Sequence, residues 1–297
     1  MRHDFERTTV WSFYEKVTGS LQYILADKAT GAAAIIDPVL DYDRQSASTA
    51  TDSADALLEC VREHGLDVKW VLDTHPHADH LSAAVYIGKT LKAPRAIGEK
   101  VCDVQKLWKH IYGLSDLPAD GSQWDRLLAA GDTIAIGETN IRIMFSPGHT
   151  LASITYVTEE QAFVHDTLMM PDAGTSRADF PGGDAHQLWR SIREILALPD
   201  DLCLFVGHDY CPDGRALACA ASVAEQRRLN KHVRDGVAED EFVAMREARD
   251  ATLPLPELML AALQVNIRGG RLPEPDAEGR SFLKIPLNHF SPPARKD

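Results

Sequence analysis

Short apolar runs with turn residues between them open the chain. Residues 9–13, 21–26 and 32–36 read as strands, with Asp27, Lys28 and Gly31 marking the turn between the last two. The period then changes. Ala56, Leu57, Cys60 and Val61 recur at helical spacing within 52–64, and Gly65 ends the run. A strand is predicted over 69–72, followed at once by a histidine-rich segment and then by a helix over 81–91. Further on, 134–136 and 141–145 form the arms of a hairpin turning at Gly137 to Asn140, and 153–157 and 162–164 are the next strands. A helix over 185–196 and a strand over 202–205 follow. After His208 the pattern becomes helical, with helices predicted over 216–233, 239–251 and 257–263. From Gly269 onward the chain is rich in proline, glycine and charge, and 113–122 reads as an inserted surface loop.

Composition adds limits rather than identity. The 297 residues are 44% hydrophobic and 25% charged, the balance of a globular protein with a sizeable core. The formal net charge of −13 disfavours phosphate backbones and anionic lipid surfaces, so neither nucleic acid nor membrane is an expected partner. Cys60, Cys102, Cys203, Cys211 and Cys219 are odd in number and form no CxxC pair, so they read as reduced thiols in a cytoplasmic protein. The polar start of the chain does not resemble a signal peptide, and no apolar run reaches membrane-spanning length.

Candidate chemistry concentrates in Thr74-His75-Pro76-His77-Ala78-Asp79-His80, together with His149, Asp166 and His208. Each part of this set follows the end of an apolar strand. Loops at one sheet edge converge, so residues distant in sequence can share a site there. His75 and His77, two positions apart in an extended loop, can face one metal. Asp79 and His80, at the predicted helix start, can serve a second metal or the surroundings of the first. Asp166 offers a carboxylate able to bridge two metals. Imidazoles and carboxylates without thiolate suit zinc, iron, manganese or nickel, and ligand chemistry does not choose among them. His3, His64, His110, His186, His232 and His289 read as ordinary polar positions. His165 is read as structural, pointing to the face opposite Asp166.

The segment His75-Pro76-His77-Ala78-Asp79-His80 resembles the HxHxDH signature of the metallo-β-lactamase superfamily. His149 in Ser-Pro-Gly-His-Thr, Asp166 in Val-His-Asp-Thr and His208 in Gly-His-Asp-Tyr follow in that superfamily's order. The resemblance implies an α/β fold, a four-layer αββα sandwich with a helical C-terminal extension. Residues 1–232 would form the catalytic domain and 233–297 an extension packed on it. His165 stands where many members have glycine.

Within the superfamily, three features resemble the persulfide dioxygenases of a bacterial branch. They are the THxHADH form of the histidine segment, the loop Arg177-Ala178-Asp179-Phe180, and the tail from Gln264 through Asn288. Ala178 departs from the threonine or cysteine common in that loop. The resemblance implies a mononuclear non-haem Fe(II) site, one iron per chain, held by His75, His149 and Asp166. His77, Asp79, His80 and His208 would orient ligands and water, or hold a second metal. The implied substrates are glutathione persulfide and O₂, the products sulfite and glutathione, and a homodimer is expected. Arg177, Tyr210, Arg227, Arg228, Lys231 and Arg268 are the candidate substrate contacts on this acidic chain, Arg177 foremost because its loop must pass the metal edge. The alternative is a dinuclear zinc thioester hydrolase of the glyoxalase II type, for which all the ligands are also present.

Overall fold

The computed structural model describes residues 1–290. The first half of the chain runs β1 (Arg2–Asp4), β2 (Thr8–Glu15), β3 (Ser20–Asp27), β4 (Ala32–Ile36), β5 (Val39–Asp43), β6 (Ser48–Ala50), α1 (Asp52–Glu63), β7 (Asp67–Leu72), β8 (Leu81–Ser82), α2 (Ala84–Leu91), β9 (Arg95–Gly98), α3 (Val101–Tyr112) and β10 (Arg126–Leu128). The second runs β11 (Thr133–Ile136), β12 (Thr139–Phe145), β13 (Ile154–Val157), β14 (Gln161–His165), α4 (Ala185–Ile195), β15 (Cys203–Val206), β16 (Ala220–Ser222), α5 (Val223–Leu229), α6 (Glu239–Asp250) and α7 (Met259–Asn266).

Two sheets face each other. One has the order β1-β2-β3-β4-β7-β9-β10, the other β11-β12-β13-β14-β15-β16, and β6-β5-β8 form a small ribbon. The continuous apolar runs of β3 and β4 follow from burial on both faces. Leu21, Tyr23, Leu25, Ala32, Ala34 and Ile36 point between the sheets, where they meet Ile141, Tyr156 and Phe163. Their alternates Ile24, Ala26, Ala33 and Ile35 pack under Leu57 and Val61 of α1 and Ile87 of α2. On the outer face of the second sheet α4 buries Leu188, Trp189, Ile192 and Ile195. The layers are therefore helix, sheet, sheet, helix, the expected sandwich.

The extension lies on both flanks. Phe242 of α6 meets Trp189 of α4 with ring centroids 5.3 Å apart. Met259, Leu263 and Ile267, in and just after α7, pack with Trp108 and Tyr112 of α3.

Three elements depart from expectation. The helix expected over 216–233 is strand β16 followed by the short α5. Ala220 to Ser222 pair antiparallel with Cys203 to Phe205, so ladder hydrogen bonds override the helix propensity of an alanine-rich run. The helix expected from 81 starts at Ala84, because Leu81 and Ser82 pair with Leu40 and Val39. Asp79 and His80 therefore sit in a loop, not on a helix. Helix α3 is absent from the expected elements, although Val101, Val104, Trp108 and Tyr112 carry its buried stripe.

Candidate metal centre

His75, His149, Asp166 and His208 stand just past the C-terminal ends of β7, β12, β14 and β15, at one edge of the sandwich. Two close approaches make the edge compact. A Cβ on Gly148 would lie 2.2 Å from the Leu188 backbone nitrogen, so the His149 loop can press on α4 only with glycine there. A Cβ on Gly207 would lie 2.3 Å from Asp166 Oδ1, so the His208 loop needs glycine to pass the carboxylate.

The imidazoles are oriented from behind. Thr74 donates to Asp37 through its backbone N–H and its hydroxyl, both at 2.7 Å. The hydroxyl proton is thus spent, and its oxygen accepts from His75 Nδ1 at 3.0 Å. His149 Nδ1 donates to the Arg177 carbonyl at 2.8 Å. Both rings therefore turn a bare Nε2 lone pair inward. These atoms lie 3.7 and 3.6 Å from the same oxygen, Asp166 Oδ2.

Three groups of donors each bring their atoms within 4.8 Å of one another: His75, His149 and Asp166; His77, Asp79 and His80; and Asp79, Asp166 and His208. His75 Nε2 and Asp166 Oδ1 are buried without a hydrogen-bond partner. Lone pairs converging in a dry site repel and lose hydration unless a cation joins them, so the residues of the first group fit a metal.

Charge separates the histidines. Burial drives His75 well below its ordinary value and lowers His149, keeping both neutral. Burial opposes charge on His77 too, but the Asp37 carboxylate 3.0 Å away holds it up at about 9. That contact is an ion pair by distance and not an aligned hydrogen bond, since both His77 nitrogens lack a bonding partner. His208 rises well above its ordinary value against burial, next to Asp166 and Asp79. Those two carboxyls fall below the usual range, despite burial, chiefly because of His208.

A cavity of about 520 Å³ opens onto His149, Asp166 and His208, a size suited to a small molecule. Of the expected substrate contacts, Arg177, Tyr210 and Lys231 line it. On that wall the Arg177 guanidinium donates to Asp179 at 2.6 and 2.8 Å and to the Pro254 carbonyl at 2.6 Å. These three bonds brace the wall. Arg227 turns instead to Asp200 and Asp235. Arg228 does not line the cavity, and Arg268 lines a different one beside Leu114 and Lys284. The ring of His165 lies 5.0 Å from the ring of His75, outside the three donor groups.

Sequence reasoning missed several contributors. Arg249 lines the cavity and, like Lys231, makes no ion pair among the described residues. Asn266 in α7 donates to the carbonyls of His77 and His80 at 2.7 Å each, clamping the histidine loop from the extension. Buried Arg246 and Asp250 pair at 2.5 Å, and Asp250 accepts from the Ala178 N–H at 2.8 Å, fixing the Arg177 loop. Of these, only the helical spacing of Arg246 and Asp250 can be read in the sequence.

The αββα sandwich with its metal donors on one edge defines a class of metal-dependent proteins. The profile of the Metallo-beta-lactamase superfamily matches residues 17–208, and the chain belongs to that superfamily. It is 60% identical over 277 residues to the "Beta-lactamase hydrolase-like protein" of Agrobacterium fabrum, covering 93% of this chain but 64% of that relative's length. It is 46% identical to "Glyoxylase B2" of Dictyostelium discoideum, covering 93% and 95% of the two chains. Human "Persulfide dioxygenase ETHE1, mitochondrial" is 29% identical, over 86% and 87%. Among solved structures, ETHE1 from Myxococcus xanthus superposes with a TM-score of 0.71 at 28% identity, covering 88% of this chain and 99% of that one.

Proposed function

We propose that the chain is a non-haem Fe(II) dioxygenase that converts glutathione persulfide, O₂ and water to glutathione and sulfite. The observation that carries this reading is the group His75, His149 and Asp166: two neutral imidazoles and one carboxylate oxygen converge, each imidazole with its second nitrogen already spent. Two imidazoles and one carboxylate on one face, with other positions open, suit iron that must also meet O₂ and a sulfur anion. The likeness to the persulfide dioxygenase of human mitochondria supports the same choice.

When bound, Fe(II) supplies electron transfer to O₂ and a coordination position for the persulfide sulfur. The chain's own residues do the rest. Lys231 and Arg249 draw the anionic substrate into the cavity against the negative net charge. Phe180, Leu253, Pro254 and Leu255 form an apolar wall that limits water at the reacting sulfur. Tyr210, stacked on His208 at 5.6 Å, offers a hydroxyl at the mouth. With His77 and His208 charged, Asp37 and Asp79 are paired at 3.0 and 3.1 Å and the Asp166 carboxylate is left over, which suits a site with one metal. The reading includes a cytoplasmic setting, in keeping with five free cysteines, and a homodimer. No helix among the described residues is long and apolar enough to cross a membrane.

A second reading rests on the two further donor groups around Asp79 and on the relative named glyoxylase B2. It is a dinuclear zinc hydrolase that cleaves a glutathione thioester with metal-activated water. Oxygen uptake by iron-loaded protein with fresh glutathione persulfide, with sulfite measured in parallel, is expected under the first reading. Absent oxygen uptake with rapid hydrolysis of S-lactoylglutathione would establish the second instead.

A further inference from the structure

His165 is unused by either reading, yet its setting is unusual. It ends β14 with φ of 39°, a left-handed conformation in which a Cβ is crowded and glycine is not. Its side chain is buried nonetheless, and its residue is 1% exposed. Nε2 lies 3.0 Å from Ser146 Oγ and 2.9 Å from Thr167 Oγ1. The Thr155 hydroxyl donates in turn to Ser146 Oγ at 2.9 Å. Two hydroxyls thus cradle one edge of the ring, one of them held by Thr155, and Nδ1 on the other edge is buried without a hydrogen-bond partner. The ring is tilted by 48° against that of His75, with centroids 5.0 Å apart. The backbone is tied as well: the His165 carbonyl accepts from the Gly207 N–H at 3.2 Å, one residue before His208, and Asp166 follows directly.

We propose that His165 is a positioning residue for the metal ligands. Its ring, anchored by Ser146 and Thr167, fixes the tilt of His75, and its left-handed backbone aims the Asp166 carboxylate at the point the two Nε2 atoms face. A ring needed for packing alone would require neither a polar cradle nor a conformation that glycine adopts more readily. The role rests on the reading of His75, His149 and Asp166 as ligands of one metal.

The test uses the whole chain with its metal removed and Co(II) added back. Visible absorption bands report ligand geometry, and the titration reports affinity. His165→Gly relaxes the backbone and deletes the ring. His165→Asn tolerates the left-handed conformation and keeps a polar group, but cannot reach His75. Both variants are expected to bind Co(II) about tenfold or more weakly, with shifted bands, as for loss of other groups that orient metal ligands. Circular dichroism scores folding separately, and His165→Asn serves if His165→Gly does not fold. Parent-like affinity and bands in a folded variant overturn the role. His75→Ala is the reference: if it also retains parent-like Co(II) affinity, the metal reading fails and this role with it. If His75→Ala loses the metal while both His165 variants keep it, only the role of His165 fails.

Discussion

The donors on the two sides of Asp166 are held in different ways. On one side His75 and His149 have their Nδ1 atoms tied to Thr74 and to the Arg177 carbonyl, and both remain neutral. On the other, His77 pairs with Asp37, and Asp79 pairs with His208 while accepting from Ser20 at 3.1 Å. The first set turns neutral lone pairs toward Asp166, whereas in the second Asp37 and Asp79 each have an imidazole within 3.1 Å. The same residue types thus serve as a converging ligand set or as ion-paired neighbours, depending on which groups face them, while both His77 nitrogens and His208 Nδ1 lack hydrogen-bond partners.

The contrast can be broken most directly by deletion. His75→Ala and Asp166→Ala are expected to abolish iron retention, while His80→Ala keeps about one iron per chain. Metal analysis of purified protein decides, and equal loss in all three would dissolve the distinction. Next in size, Asp250→Ala leaves Arg246 buried and uncompensated and frees the Ala178 N–H, so a loss of about 3–5 kcal/mol is expected in chemical denaturation. Thr74→Val removes the hydroxyl between Asp37 and His75 Nδ1, and metal affinity should fall roughly 10- to 100-fold with the fold retained. A smaller effect is expected at the cavity mouth. Lys231→Ala and Arg249→Ala should each raise KM about three- to tenfold with kcat unchanged, whereas Arg227→Ala should leave KM alone. Steady-state kinetics with the persulfide checks this.

The smallest effect concerns pH. His232 accepts from the Thr175 N–H at 3.1 Å, and burial followed by the charge of Arg246 lowers it to about 4. Its folded value lies below its unfolded value of 6.5, so its contribution is complete above pH 6.5 and is lost as pH falls through 4. Unfolding midpoints measured across that window should decline less steeply in His232→Gln.

Much of the sandwich was legible because period-2 and period-3.6 patterns are local. The runs of β3 and β4 and the stripe of α1 announce themselves. Helix α3 carries the same kind of signal in Val101, Val104, Trp108 and Tyr112. Strand β16 reads as helix in the sequence because an alanine-rich run favours a helix until a sheet edge offers it partners. The substrate cations were harder. Arg177, Arg227 and Lys231 look alike in sequence, and only the positions of Asp179, Asp200 and Asp235 show which guanidinium groups are already engaged.

The chain by itself determined that a metal-ligand set exists and in which order its members come, because HxHxDH and the three later motifs are dense, local and costly to bury without a cation. The αββα layering was what the resemblance of those motifs to the metallo-β-lactamase superfamily implied. The tertiary structure alone decided how these donors divide. Which imidazole has a spare lone pair depends on Asp37, Thr74 and the Arg177 carbonyl, and which loop stays in place depends on Asn266 and Asp250 from the extension. Those partners lie up to 189 positions away, and hydrogen bonds and ion pairs depend on distance and direction in space, which no local pattern records.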